Sequence, residues 1–128
     1  MASTSQVSVA IGVIRQDASI LVTRRLPSVD CPNLWEFPGG KMQQHETVEA
    51  GLARELYEEI NIQVVSCRPV VQFRHVYSHA IVTAYVYLIQ HYLGEPKSIE
   101  GQQMQWVTLE EILDLNMLDA NKVIISQL

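Results

Sequence analysis

The chain has 128 residues, of which 48% are hydrophobic, and this is enough material for one hydrophobic core. We therefore expect a single domain over residues 1–128. The net charge of −5 argues against sequence-independent binding to DNA or RNA, because such binding requires a basic surface. A small anionic ligand remains compatible with this charge, since a bound metal ion supplies positive charge locally.

The cysteines and the N-terminal segment both favour a cytoplasmic protein. Cys31 and Cys67 lie far apart and lack metal-ligand spacing, which indicates two free thiols in a reducing compartment. The apolar stretch 7–14 is too short and too often interrupted to serve as a signal or membrane segment. We expect no membrane contact.

The first predicted elements are two strands joined by a hairpin turn. Apolar residues alternate along 7–14, a turn follows at 16–19, and residues 20–24 form the second strand. Both strands are apolar on nearly both faces, which predicts a sheet covered on both sides. A short strand follows at 34–37, in which one of Trp35 and Phe37 should enter the core and the other could stack on a flat ligand.

The middle of the chain is a glycine-rich loop, Pro38–Lys41, followed by a predicted helix. Thr47 is a good N-cap residue, so we expect the helix to begin there. We expect it to end near Ile60, because Asn61 is one of the few non-glycine residues that tolerate the left-handed conformation of a helix stop.

Three acidic residues of this helix share one face. At about 100° per residue, Glu55, Glu58 and Glu59 fall on one arc, beside an apolar arc that should face the core. Like charges at this spacing repel by a few tenths of a kcal/mol per pair. A hard divalent cation such as Mg²⁺ or Mn²⁺ relieves that repulsion. The alternative is a solvated face in which Arg54 pairs with Glu58.

The second half of the chain predicts more strands than helices. We expect one or two strands at 63–73, around Pro69, and further strands at 80–91 and 103–107. His75 and His79 lie near the turn before the strand at 80–91, and we expect them to be surface residues, with a metal site as the alternative. Thr108 and Glu111 form a capping box for a short helix that runs to Leu115. Residues 119–128 predict an amphipathic helix with Val123, Ile124 and Leu128 facing inward. The element list indicates the α+β class.

The segment from Gly40 to Ile62 resembles the signature of the Nudix hydrolases, G-x5-E-x7-R-E-U-x-E-E-x-G-U, where U is aliphatic. Eight of its nine fixed positions match, and the exception is Asn61, where the family has glycine. Asparagine is the mildest replacement at a left-handed position, so we expect the fold to be kept.

Further segments resemble the MutT-type members of that family, and the resemblance covers nearly the whole chain. These segments are Thr23–Arg25, Leu34–Lys41, Gly94–Pro96, Glu100–Gln102 and Ala120–Asn121. The resemblance implies a single Nudix domain with an α/β/α sandwich, in which a mixed sheet lies between helices. It also implies hydrolysis of 8-oxo-dGTP or 8-oxo-GTP to the monophosphate and pyrophosphate with Mg²⁺ or Mn²⁺, which would sanitise the nucleotide pool and prevent mutation.

The resemblance implies a role for each site residue. The implied catalytic residues are Glu55, Glu58, Glu59 and Glu100, with Glu55 as the general base and Glu100 as the rival for that role. The implied metal ligands are the same four glutamates and the carbonyl of Gly39. The implied nucleotide-binding residues are Arg25, Phe37, Gly39, Gly40, Lys41 and Asn121. Glu46 and Arg54 are implied to support the site.

The identity of the base remains open at this point. An asparagine offers both a donor and an acceptor, which suits Asn121 for reading a base edge, with helix capping as the alternative. MutT-type members carry a basic residue in the hairpin around His79 and Ala80, and Ala80 cannot replace it. A pyrimidine triphosphate pyrophosphatase acting on CTP or dCTP is therefore the first alternative, and a non-catalytic Nudix binding module is the second. We expect a monomer that acts on a free nucleoside triphosphate.

Overall fold

The computed structural model describes residues 5–128. The strands are β1 (Ser5–Gln16), β2 (Ser19–Arg24), β3 (Trp35–Glu36), β4 (Gly39–Lys41), β5 (Gln63–Val76), β6 (Ala80–Leu93) and β7 (Met104–Thr108). The helices are α1 (Val48–Ile60), α2 (Leu109–Ile112) and α3 (Lys122–Ile125), and a 3₁₀ turn spans Asp119–Asn121.

Strand β1 is the centre of the sheet. It runs parallel to β6 over Ser5–Ile14, and its neighbours β2 and β4 are antiparallel to it. The strand order is β3-β2-β1-β6-β5, with β4 added to β1 and β7 added to β2. The sheet is therefore mixed. Its parallel pair is covered on both faces, as parallel strands require.

The buried side chains form one cluster on each face of the sheet. Because side chains alternate along a strand, Ala10 and Ile14 face α1, whereas Ile11 and Val13 face the C-terminal segments that carry Ile124. Each fully buried Leu or Ile side chain contributes about 1.5–3 kcal/mol. The two clusters place the sheet between helices, which confirms the predicted α+β class and its sandwich of layers.

The two C-terminal helices are shorter than the sequence predicts. Helix α2 ends at Ile112 instead of Leu115, because Trp35 forms backbone hydrogen bonds with Asn116 and Leu118 that draw the chain out of the helix. The amphipathic helix predicted at 119–128 is reduced to the 3₁₀ turn and α3. Ile124 is buried there, but Val123 is 38% exposed and does not face inward as predicted.

The described part of the chain contains no helix long and apolar enough to cross a membrane. Cys31 and Cys67 are both free thiols, as predicted.

Candidate active site

Helix α1 has both of the ends that the sequence predicts. The Thr47 side chain accepts a hydrogen bond from the backbone N–H of Ala50, which satisfies a donor of the first turn. Asn61 has φ 63°, and its N–H donates to the carbonyls of Leu56 and Tyr57. The helix therefore begins and ends where local chemistry requires, and this fixes which side chains face the glycine loop.

Residues Gly39–Lys41, which the sequence predicts as part of a loop, instead form strand β4, because they pair with β1. Two glycines let this strand lie against both β1 and α1. A Cβ atom at Gly39 would overlap the carbonyl oxygen of Ala10 on the paired strand. A Cβ atom at Gly40 would overlap the carboxylate of Glu55. Only glycine at these positions allows the β4 backbone to lie this close to the acidic face of the helix.

Glu59 is a buried carboxylate with few donors. Its side chain is only 3% exposed, and Oε2 accepts a 3.0 Å hydrogen bond from the N–H of Gly39. Oε1 accepts a longer bond, 3.4 Å, from the hydroxyl of Thr23. Burial is the main cause that raises the pKa of Glu59 to about 8, and the hydrogen bond from Gly39 opposes the rise. The negative charges of nearby acids, above all Glu36, add to it.

Arg54 connects three acids to the loop. Its guanidinium donates to Oε2 and Oε1 of Glu46 at 2.7 and 3.0 Å, and to the carbonyl of Lys41 at 3.1 Å. It also lies 3.1 Å from both Glu55 and Glu58. The Arg54–Glu58 pair proposed as the alternative to a metal site is therefore present, but Arg54 serves the whole loop.

The hydrogen bonds of this cluster affect its acids in opposite directions. Hydrogen bonding to Arg54 and to the N–H of Gln43 lowers the pKa of Glu46 to about 2. Burial raises the pKa of Glu55, and Arg54 offsets part of that rise. Glu46 is thus an anion held in place by Arg54 and by the backbone of Gln43. Glu55 is partly buried, and Arg54 is the cation that contacts it.

Glu100 reaches the same region from the loop before β7. The backbone N–H groups of Lys97 and Ile99 donate to the carbonyls of Ile60 and Glu59 at 2.9 and 3.0 Å, which docks this loop on the end of α1. The Glu100 side chain is exposed, and its charge contributes to the raised pKa of both Glu55 and Glu59.

The donor set of this cluster fits a hard divalent cation. Carboxylate oxygens are the ligands that such cations prefer, and a buried carboxylate beside other carboxylates lacks a compensating positive charge. Within residues 5–128, no three acidic, histidine or cysteine side chains are already gathered at metal-ligand distances. Glu58 is held by Arg54, so ligation by Glu58 would require its side chain to turn.

A cavity of about 430 Å³ adjoins the carboxylate cluster. It is lined by all six residues that the sequence assigns to nucleotide binding, which are Arg25, Phe37, Gly39, Gly40, Lys41 and Asn121. Tyr77 and His79 also line it, from the turn between β5 and β6. The His79 side chain is 61% exposed, so it is a surface residue as predicted, but it lies at the cavity wall.

Asn121 and Phe37 are far apart in sequence but contact each other at the cavity wall. Asn121 is only 3% exposed, and its Oδ1 accepts a 2.9 Å hydrogen bond from the backbone N–H of Phe37. The Asn121 side chain makes no capping hydrogen bond to α3, so it does not play the helix-capping role considered as the alternative. Phe37 is the core aromatic, whereas Trp35 packs under the guanidinium of Arg24.

Glu36 and Thr23 are two polar residues of the site that the sequence interpretation did not single out. They are direct partners in the β2–β3 pair, and Thr23 is fully buried. A signal was available, since a glutamate between two aromatic residues in a short strand is unusual for a core segment. Glu36 is held by Arg25 at 3.2 Å.

Comparison with known proteins identifies the family. Residues 9–127 match the family profile described as the NUDIX domain. An 8-oxo-dGTP diphosphatase of Haemophilus influenzae is 39% identical over 102 residues, which cover 79% of this chain and 75% of that protein. An 8-oxo-dGTP diphosphatase of Escherichia coli is 31% identical over 124 residues, which cover 96% of each chain. The chain belongs to the Nudix hydrolase family.

Structural similarity agrees with this assignment. A solved structure of MutT, from work on the Aliivibrio salmonicida and Vibrio cholerae proteins, superposes with a TM-score of 0.83 at 28% identity and covers 96% of each chain. A further relative, a CTP pyrophosphohydrolase of Escherichia coli, is 29% identical over 115 residues, which cover 90% of this chain and 85% of that protein. The MutT-like fold is therefore established, and the relatives differ in the base they accept.

Proposed function

We propose that this chain hydrolyses 8-oxo-dGTP and 8-oxo-GTP to the nucleoside monophosphate and pyrophosphate, and so removes oxidised guanine nucleotides from the pool. The observation that carries the proposal is the cavity bounded by Lys41 and Asn121, which opens beside the carboxylates of Glu55 and Glu59. The named activity of the Haemophilus influenzae and Escherichia coli relatives supports it.

The carboxylate cluster is suited to Mg²⁺ or Mn²⁺. Glu55, Glu58, Glu59, Glu100 and the carbonyl of Gly39 would hold the metal. When bound, the cation neutralises phosphate charge and makes a water molecule more acidic. Phosphoryl transfer depends mainly on positioning and charge stabilisation, which is the contribution that a cluster of fixed carboxylates makes.

Further roles in the reaction fall to side chains around the cavity and the carboxylate cluster. Glu55 accepts the proton of the attacking water, because its carboxylate is partly buried and rests against the backbone of Gly40. Glu100 is the rival for this role. Lys41 lies on the cavity wall, where its ammonium stabilises the phosphates. Glu46 and Arg54 hold the loop that carries Lys41.

Asn121 reads the base with a donor. Its Oδ1 already accepts from the N–H of Phe37, and within residues 5–128 its Nδ2 group donates to no other residue. The amide therefore presents N–H donors to the cavity, and such donors pair with the carbonyl oxygens of a guanine-type base. Phe37 lines the same cavity, and Arg25 supports the nucleotide.

We propose further that the enzyme acts as a monomer on free nucleoside triphosphates in the cytoplasm, without binding nucleic acid or membranes.

The CTP pyrophosphohydrolase relative supports a second candidate, a pyrimidine triphosphate pyrophosphatase acting on CTP or dCTP. Cytosine also offers acceptors to the Asn121 amide, so this contact alone favours neither base strongly. A non-catalytic binding module has the least support, because the chain retains every glutamate of the Nudix signature.

Replacing the proposed base tests the mechanism. We expect Glu55→Gln to lower kcat for 8-oxo-dGTP by about 100-fold or more, because it removes general-base catalysis while keeping the shape of the side chain. Glu95→Gln removes an exposed charge elsewhere and should leave kcat unchanged. Pyrophosphate release is the assay, and circular dichroism checks the fold. Full activity of Glu55→Gln would contradict the assigned role.

A further inference from the structure

Glu36 is an acidic residue of the cavity wall that has no role in the mechanism so far. It lies on β3 opposite Thr23, and its side chain is only 18% exposed. Burial raises the pKa of the Glu36 carboxyl, and the neighbouring Arg25 offsets part of that rise. An acid in this position costs desolvation energy, so a compensating interaction is expected.

Arg25 supplies that interaction and is itself held from two sides. Its Nη1 lies 3.2 and 3.5 Å from the two carboxylate oxygens of Glu36. Its Nε donates a 2.8 Å hydrogen bond to the carbonyl of Asp30. Three of the five guanidinium N–H donors therefore face Asp30 and Glu36. These contacts fix the orientation of the guanidinium plane.

The remaining nitrogen, Nη2, is left for a ligand. Its nearest acid oxygen is Asp30 Oδ1 at 3.8 Å, which is beyond hydrogen-bond distance. Within residues 5–128, Nη2 has no hydrogen-bond partner, and Arg25 lines the cavity. A positively charged group with two free N–H donors at this wall suits the oxygen atoms of an anionic nucleotide.

We propose that Glu36 is a positioning residue, which orients Arg25 so that its Nη2 group contacts the bound nucleotide. The inference rests on the proposed function, in which Arg25 is a nucleotide contact. Without Glu36 the guanidinium keeps only the Asp30 carbonyl as a firm partner and loses its fixed orientation. Nucleotide binding then weakens, while the carboxylates that carry the chemistry stay in place.

The geometry separates this role from metal binding. Glu36 contributes to the negative potential at Glu59, so it lies near the carboxylate cluster. Both of its oxygens nevertheless face Nη1 of Arg25. A metal ligand would affect the Mg²⁺ requirement, whereas a positioning residue affects the nucleotide.

Steady-state kinetics distinguish the two roles. We expect Glu36→Ala, which leaves no acceptor for Nη1 of Arg25, to raise KM for the preferred nucleotide about tenfold, the size of a lost charge-assisted hydrogen bond, with kcat and the half-saturating Mg²⁺ concentration nearly unchanged. Glu36→Asp should recover part of the loss, and Glu95→Ala is the matched control. Arg25→Gln should raise KM similarly, and the double variant should be no worse than Arg25→Gln alone. Additive effects, or a raised Mg²⁺ requirement, would overturn the proposal.

A second readout needs neither nucleotide nor turnover. Arg25 donates a hydrogen bond to the carbonyl of Asp30. The next residue, Cys31, lines the cavity, so its accessibility reports on this contact. In a Cys67→Ser background, Glu36→Ala should speed the labelling of Cys31 by a thiol reagent severalfold, and Glu95→Ala should not. Unchanged labelling would overturn the positioning role. If the unmutated protein releases no pyrophosphate, the proposed function fails, while faster labelling would still support the Glu36–Arg25 linkage.

Discussion

Replacing Glu59 by glutamine should stabilise the metal-free protein at neutral pH. Glu59 is a buried acid whose pKa is raised to about 8 from an ordinary value of 4.5, chiefly by burial. Glutamine keeps the size of the side chain and an oxygen that accepts from the N–H of Gly39. It removes the charge that burial makes costly.

The sign of the effect follows from the direction of the pKa shift. A carboxyl whose pKa is raised on folding stabilises the folded state while it is protonated. This contribution is complete below pH 4.5 and is lost as the pH rises through 8. The two pKa values set an upper limit of about 5 kcal/mol for the loss, and of about 3 kcal/mol at pH 7. The glutamine side chain of the variant does not titrate, so it escapes this loss.

Chemical denaturation in the presence of a chelator measures the difference. At about pH 5 the free energies of unfolding of the two proteins should be close, and at about pH 8 the Glu59→Gln variant should be more stable by up to several kcal/mol. Added Mg²⁺ should stabilise the unmutated protein more than the variant. A variant that is less stable at the higher pH, or a difference independent of pH, would refute the reasoning.

Three further predictions concern the loop and the helix. Gly40→Ala should weaken Mg²⁺ binding measured by calorimetry, because its Cβ displaces the Glu55 carboxylate; unchanged affinity would count against that contact. Arg54→Lys should lower kcat/KM by about tenfold, because lysine cannot replace the two-pronged contact with Glu46, and equal kinetics would contradict this. Asn61→Gly should change the free energy of unfolding by less than about 1 kcal/mol and leave kcat unaltered, since both residues tolerate a positive φ. A larger change would show that Asn61 does more than end the helix.

Helix α1 could be predicted from sequence because its determinants are local. Thr47 and Asn61 each act on backbone groups within one turn, and the spacing of Glu55 and Glu59 fixes their common face. The covered sheet could be predicted because β1 and β2 are apolar on both faces, and their burial requires covering layers. The fold class followed from the list of predicted strands and helices.

Long-range contacts could not be predicted in the same way. The Asn121 side chain accepts from Phe37, which is 84 positions away, and no local pattern specifies which of its atoms is used. The early end of α2 depends on Trp35 binding the backbone beyond it. Glu36 was missed for the same reason, since its role depends on where Arg25 lies in space.

The central claim is that this cavity and its carboxylates form an 8-oxo-dGTP pyrophosphohydrolase. The most direct test compares kcat/KM for 8-oxo-dGTP, dGTP, CTP and dCTP with Mg²⁺, with pyrophosphate as the detected product. We predict a large preference for 8-oxo-dGTP over dGTP and over both cytosine nucleotides, and a raised KM for 8-oxo-dGTP in Asn121→Ala, because this variant loses the amide donors that face the base. A preference for CTP or dCTP would contradict the account of the base site, and absence of pyrophosphate release from all four would contradict the proposed function.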